Sequence, residues 1–180
     1  MTPVGWLLDR IGREPMLDAT LESALNDQMN LEFASAHLYL AMAAHMDGRN
    51  LVGSAMWMRM QAEEETGHAM RFFEHILDRG GRVRLGTIDA PPDDFGSPLE
   101  TFSRALEHER RVTEAILALS KQADRTTEVF LEWFITEQVE EERSVEQIVG
   151  SMELAGDSGA ALLILDRELG ARTPQADASA

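Results

Sequence analysis

Glu65 and His68 stand three residues apart in the run Ala62-Glu63-Glu64-Glu65-Thr66-Gly67-His68. On a helix that spacing puts a carboxylate and an imidazole on one face, as helical metal sites do. Three further glutamates fall on rows of large residues that recur every three or four positions. One row reads Leu21, Leu25, Gln28, Glu32, Ser35, Tyr39, Met42, and a second Leu51, Ala55, Met58, Ala62, Glu65, Ala69, Phe72, Ile76. The others read Leu99, Phe102, Leu106, Glu109, Thr113, Ile116 and Leu131, Phe134, Gln138, Glu141, Val145, Ile148, Met152. Each row is apolar near its ends and acidic near its middle, and none carries lysine or arginine.

Rows of this kind face a helix-bundle axis, so the four glutamates converge on one level. Burying an unpaired carboxylate costs several kcal/mol, and four of them also repel one another. Metal cations are the natural counter-charge. In outline, Glu32 and His68 take one metal, Glu109 and Glu141 lie nearer the other, and Glu65 bridges them. Oxygen ligands with one nitrogen suit iron or manganese better than zinc. The plain alternative makes each glutamate a solvated face residue, and most of Glu63–Glu65 and Glu140–Glu142 fits that description. Four in register on four helices do not. Tyr39, the only tyrosine, can donate a hydrogen bond to a ligating glutamate, give up an electron, or simply sit in the core with its hydroxyl satisfied. His37, His45, His75 and His108 read as surface residues or as neighbours of the ligands.

The rows belong to a chain of 180 residues with a formal net charge of -16, 44% hydrophobic residues and no cysteine. So acidic a chain lacks the positive field that nucleic acid or an anionic membrane requires, so neither is expected as a partner. Without cysteine there are no disulfides, thiolate metal sites or cysteine nucleophiles. Met1–Gly12 has no basic run before an apolar stretch, and no segment approaches the roughly 20 apolar residues of a membrane helix. A cytoplasmic location is expected.

An all-α fold must position the rows. Helices are expected at about 17–46 and 51–79, then from Pro98 to about Gln122, from Asp124 or Thr126 to about Ala155, and over Ala160–Leu169. Ser97, Pro98 and Glu100 make a good helix start. Residues 82–97 hold Gly86, Pro91, Pro92 and Gly96 and show no period. The two short joints make antiparallel hairpins. The connector of about 17 residues can reach about 56 Å, enough to span a helix of about 45 Å. One long crossover between two hairpins describes a ferritin-like four-helix bundle, here with a short fifth helix. Residues 17–169 form that domain, 1–16 an N-terminal extension, and 170–180 a flexible tail.

The ligand segments resemble those of the non-haem bacterial ferritins. Asn26-Asp27-Gln28-Met29-Asn30-Leu31-Glu32 is similar to the family's first-helix segment, Ala62 to His68 to its second, and Glu107-His108-Glu109 to its third. Trp133 to Glu142 matches the fourth, and Leu154-Ala155-Gly156-Asp157-Ser158-Gly159 the bend into the last helix. The resemblance implies a ferroxidase centre with Glu32, Glu65 and His68 on the first iron and Glu65, Glu109 and Glu141 on the second, Gln138 close by. It implies a third iron site of Glu64, Glu137 and Glu140, with Tyr39 and Trp133 as aromatic neighbours of the centre. It also implies hollow shells of 24 subunits that oxidise Fe(II) with dioxygen or peroxide and store ferric mineral. Glu141-x-x-Ser144 stands where bacterioferritins, rubrerythrins and di-iron reductases carry a second Glu-x-x-His. Thr66 stands where a bacterioferritin has its haem-ligating methionine, so no haem is expected. A di-iron oxidase acting on an organic substrate would need an apolar pocket beside the metals, and the full rows leave little room for one. A mini-ferritin would place its metals between subunits, and a non-catalytic bundle would bind none.

Overall fold

The computed structural model describes residues 17–171, so the N-terminal extension and nearly all of the tail lie outside the described residues. Five helices follow one another: α1 (Ala19–Asp47), α2 (Val52–Asp78), α3 (Pro98–Ser120), α4 (Arg125–Ala155) and α5 (Gly159–Gly170). Side chains close most of their N-termini. Asp18 accepts from the Thr20 N–H, Asp124 from Thr127 and Ser158 from Ala161, and Ser97 with Glu100 forms a reciprocal capping box. Gly80, at φ 69°, ends α2 in the left-handed region that other residues avoid.

α2 lacks a cap of its own, because Leu51 precedes it. Its N-terminus is instead closed from α5. The buried Asp166 carboxylate accepts from Gly53 N at 3.1 Å, Ser54 N at 2.7 Å and Ser54 Oγ at 2.8 Å. The two backbones meet so closely that a Cβ on Gly53 would lie 1.7 Å from the Asp166 carbonyl oxygen.

α1 packs along α2, and α3 along α4. Contacts from Gln61 to Glu141, His75 to Thr127 and Arg79 to Asp124 show α2 antiparallel to α4. Contacts from Arg110 to Glu146 and Thr113 to Glu142 show the same for α3 and α4. α2 and α3 therefore run in the same direction, and the segment joining them travels the length of the bundle. α1 holds that segment down. Asn26 Nδ2 donates to Arg82 O at 3.0 Å, while its Oδ1 accepts from Arg84 N at 2.6 Å. One turn on, Asn30 Nδ2 donates to Arg84 O at 2.9 Å and its Oδ1 accepts from Gly86 N at 2.7 Å. Two asparagines a helical turn apart thus satisfy alternate residues of an extended chain, whose repeat is two. At the far end the segment inserts the buried Phe95, and His45 Nε2 lies 2.9 Å from Gly96 O.

The core is divided. One apolar cluster includes Met42, Met46, Trp57, Met58, Phe102 and Val145, and the other Leu25, Met29, Phe72, Ile76, Ile116 and Phe134. Between them lies the polar layer.

Candidate metal centre

Each long helix brings one glutamate to this layer: Glu32 from α1, Glu65 from α2, Glu109 from α3 and Glu141 from α4. All four are buried, with Glu32 and Glu109 fully closed off at 0% exposure. His68 comes in one turn after Glu65, and its Nδ1 lies 3.3 Å from Glu65 Oε2. Ligand atoms of Glu32, Glu65 and His68 all fall within 4.8 Å of one another, close enough to share one ion. Among the described residues, the buried polar set holds no lysine and no arginine.

Amide and hydroxyl donors meet three of the four carboxylates. Gln28 Nε2 donates to Glu32 Oε1 at 2.8 Å, and Gln61 Nε2 to Glu141 Oε2 at 2.8 Å. Glu109 accepts from the Tyr39 hydroxyl and from Gln138 Nε2 at 3.4 Å. Gln138 also donates to the Glu109 carbonyl and to Thr113 Oγ1, each at 3.2 Å. Glu65 is different: no amide or hydroxyl donor meets either of its oxygens or Glu32 Oε2, and the two carboxyl groups face each other.

Burial pushes Glu32 well above the usual carboxylate range, and the negative charge of Glu65 adds to it. Burial again comes first for Glu65, followed by Glu109 and Glu141. Glu109 is raised by burial despite its donors Tyr39 and Gln138. The Tyr39 hydroxyl is raised by burial and then by Glu109, Glu141 and Glu65. These directions follow from acidic groups crowded into one buried layer that, among the described residues, holds no lysine or arginine. Its orphaned oxygens and oxygen-rich donor set fit a hard or borderline metal ion such as Fe(II).

Glu64, Glu137 and Glu140 sit just beside this layer. Glu64 and Glu137 are half-buried and Glu140 is exposed. Together with Glu141, Arg143, Ser144 and Gln147 they line an open pocket of about 380 Å³. Trp133 is half-buried, its ring edge-on to His68 with centroids 5.4 Å apart and the Arg71 guanidinium 3.7 Å from its centroid. Thr66 is exposed and bonds back to Ala62 O. His37 is exposed, while His75 stacks on Phe130. His108 is buried and 2.7 Å from Ser35 Oγ, and burial followed by Arg111 lowers it to about 4. It stands edge-on to Tyr39, itself bonded to Glu109.

Sequence reasoning missed Gln61, which lies off the row of its helix, and left Gln28 without a role. Each precedes a glutamate of the layer by four residues, Glu65 and Glu32 respectively. That repeated Gln-x-x-x-Glu spacing marks both as inward polar residues. It does not reveal that Gln61 bonds Glu141 on another helix.

A family model described as a ferritin-like domain matches residues 22–155. A Staphylococcus aureus protein named bacterial non-heme ferritin is 43% identical over 162 residues, covering 88% of this chain and 98% of its own. A Bacteroides fragilis protein of the same name is 38% identical over 161 residues, covering 87% and 100%. Among solved structures, an open pore ferritin from the archaeon Archaeoglobus fulgidus aligns with TM-score 0.86 and 43% identity, over 87% of this chain and 98% of that one. An engineered closed form of the Archaeoglobus fulgidus ferritin gives TM-score 0.87 and 44% identity, over 88% and 99%.

Proposed function

This chain belongs to the ferritin family, and from that premise we propose that it is an iron store that oxidises Fe(II) at a two-iron centre within each bundle. The observation that carries the reading is the buried layer of Glu32, Glu65, His68, Glu109 and Glu141, with three carboxylate oxygens left without donors. Without cations such a layer has to hold protons to stay buried, and bound cations would complete it in their place.

Iron is the substrate. Glu32 and His68 hold one Fe(II), Glu109 and Glu141 the other, and Glu65 spans the two. Two ferrous ions give one electron each to dioxygen, which takes up two protons and leaves as hydrogen peroxide; peroxide can likewise take two electrons and two protons and leave as two waters. Tyr39 keeps Glu109 oriented through its hydroxyl. Gln138 holds the same carboxylate from the α4 side, and its free amide oxygen is a further candidate ligand. Glu64, Glu137 and Glu140 form a weaker third iron site, and their pocket, which also reaches Glu141, gives oxidised iron a way out of the layer. The chain assembles into a hollow shell of 24 copies with ferric mineral inside.

Aerobic addition of Fe(II) to the metal-free protein tests this. A rapid oxidation phase that saturates at two irons per chain is expected. Oxidation no faster than in buffer would overturn the reading.

A further inference from the structure

Three of the four buried glutamates are each met by a glutamine side chain, and the fourth is not. Gln28 reaches Glu32 within α1, Gln61 reaches Glu141 from α2 to α4, and Gln138 reaches Glu109 from α4 to α3. An ionised carboxylate, the form that binds a cation, only accepts hydrogen bonds, so the amide nitrogen faces it in each case. Each amide occupies one oxygen of its glutamate. For Glu32 the arrangement is explicit: Oε1 is bound to Gln28, and Oε2 is buried with no donor. Glu65 receives no amide at either oxygen.

We propose that Gln61 and Gln28 are positioning residues that turn Glu141 and Glu32 into single-oxygen ligands of two different metal ions, leaving Glu65 free to bridge. The inference rests on the two-iron reading above and extends it to residues outside the ligand set. The physical reason is orientation. A glutamate has three side-chain torsions, and an unheld carboxylate inside a cavity swings between one-oxygen and two-oxygen coordination. An amide on one oxygen removes that choice before the ion arrives, as partners of ligating groups do in other metal sites. Gln61 suits this task because it is fully buried at 0% exposure and its own backbone is fixed mid-helix in α2. A bridging ligand needs the opposite property. It must present both oxygens and change its grip as the charge on the ions rises, and an amide would prevent this.

The two clamps act on different ions, so they predict a crossed result. Gln61→Leu removes the donor at similar volume and should weaken the iron bound by Glu109 and Glu141 by about 10- to 100-fold, with the His68 iron unchanged. Gln28→Leu should do the reverse. Gln61→Met serves as a second donor-free variant if leucine disturbs folding, with helix content and thermal midpoint of the metal-free protein as the check. Anaerobic Fe(II) titration reads both affinities. Anomalous scattering from crystals given one Fe(II) per chain shows which position fills first: beside His68 in Gln61→Leu, beside Glu141 in Gln28→Leu. A loss spread equally over both positions in either variant, or wild-type affinities in both variants, would overturn the clamps. A wild-type protein that binds no pair of Fe(II) would instead overturn the two-iron reading itself.

Discussion

At the residue scale, the centre is a set of carboxylates held near one another against their mutual repulsion. Glu65 shows this directly, since burial, Glu109 and Glu141 all favour its protonated form. Replacing Glu65 with alanine should remove the bridge, abolish rapid Fe(II) oxidation in stopped-flow absorbance and raise the thermal midpoint of the metal-free protein. An undiminished fast phase would show that Glu65 is not a ligand. The raised carboxylates also set a pH dependence. In the metal-free fold Glu32, Glu65 and Glu109 keep protons that the unfolded chain gives up near pH 4.3, roughly. The native state then binds more protons, so stability falls as pH rises above that value toward the raised native values. Asp124 acts in the opposite sense, but only in strong acid, because Arg79 holds it far below the usual range. Ferrous ions displace the retained protons. The stabilisation by anaerobic Fe(II) should therefore grow as pH rises above the ordinary carboxylate range, with protons released on binding; a gap in thermal midpoint that shrinks with pH would contradict this. Beside the layer, Glu137→Ala with Glu140→Ala should leave two tightly bound irons per chain and change the number of irons oxidised per dioxygen. Wild-type values of both in titration and oxygen-electrode measurements would exclude a third site.

At the scale of elements, the same helices that carry ligands are tied by bonds the hydrophobic rows do not contain. Asn26 makes three of them, to Glu22 O, Arg82 O and Arg84 N. Asn26→Ala should lower stability by about 1–3 kcal/mol, the cost of leaving backbone groups unmet, and should speed amide exchange at Arg84 more than in α3. Uniform exchange would mean that the crossover is held by other contacts. The α5 contact is less tolerant. Gly53→Ala places a methyl group where the Asp166 backbone already lies, so α5 must move off α2 and take the Asp166 cap with it. Loss of the cap alone costs about 1–2 kcal/mol. Limited proteolysis within residues 156–170 should appear in Gly53→Ala and not in wild type.

At the scale of the whole molecule, α5 and the end of α4 leave an apolar surface open. Leu154 is 92% exposed, and Leu163 and Ile164 are more than half exposed. A 12-residue helix does not stand alone in water, and contiguous apolar patches mark contact surfaces. The proposed shell of 24 chains of 20.0 kDa would cover this surface with copies of itself. Leu154→Glu with Ile164→Glu should leave the bundle folded by circular dichroism and shift it to a small species in gel filtration, whereas wild type should run near 480 kDa. A wild-type protein that runs only as monomer or dimer at micromolar concentration would sink the shell.

The helices, the crossover and the four converging glutamates were legible in the sequence, because they follow from local rules. Apolar period, capping residues and connector length each act within a few turns of chain. Glu32, Glu65, Glu109 and Glu141 could be chosen from many glutamates because an unpaired acid on an apolar row is costly wherever the helices cross. The partners were not legible. Gln138 lies three residues before Glu141 and bonds Glu109, Gln61 lies four before Glu65 and bonds Glu141, and His108 turns inward to Ser35. Asp166 closes a helix more than a hundred residues away. Spacing along one helix determines which face a side chain shares, but which helix stands opposite, and at what height, is decided only when the bundle packs.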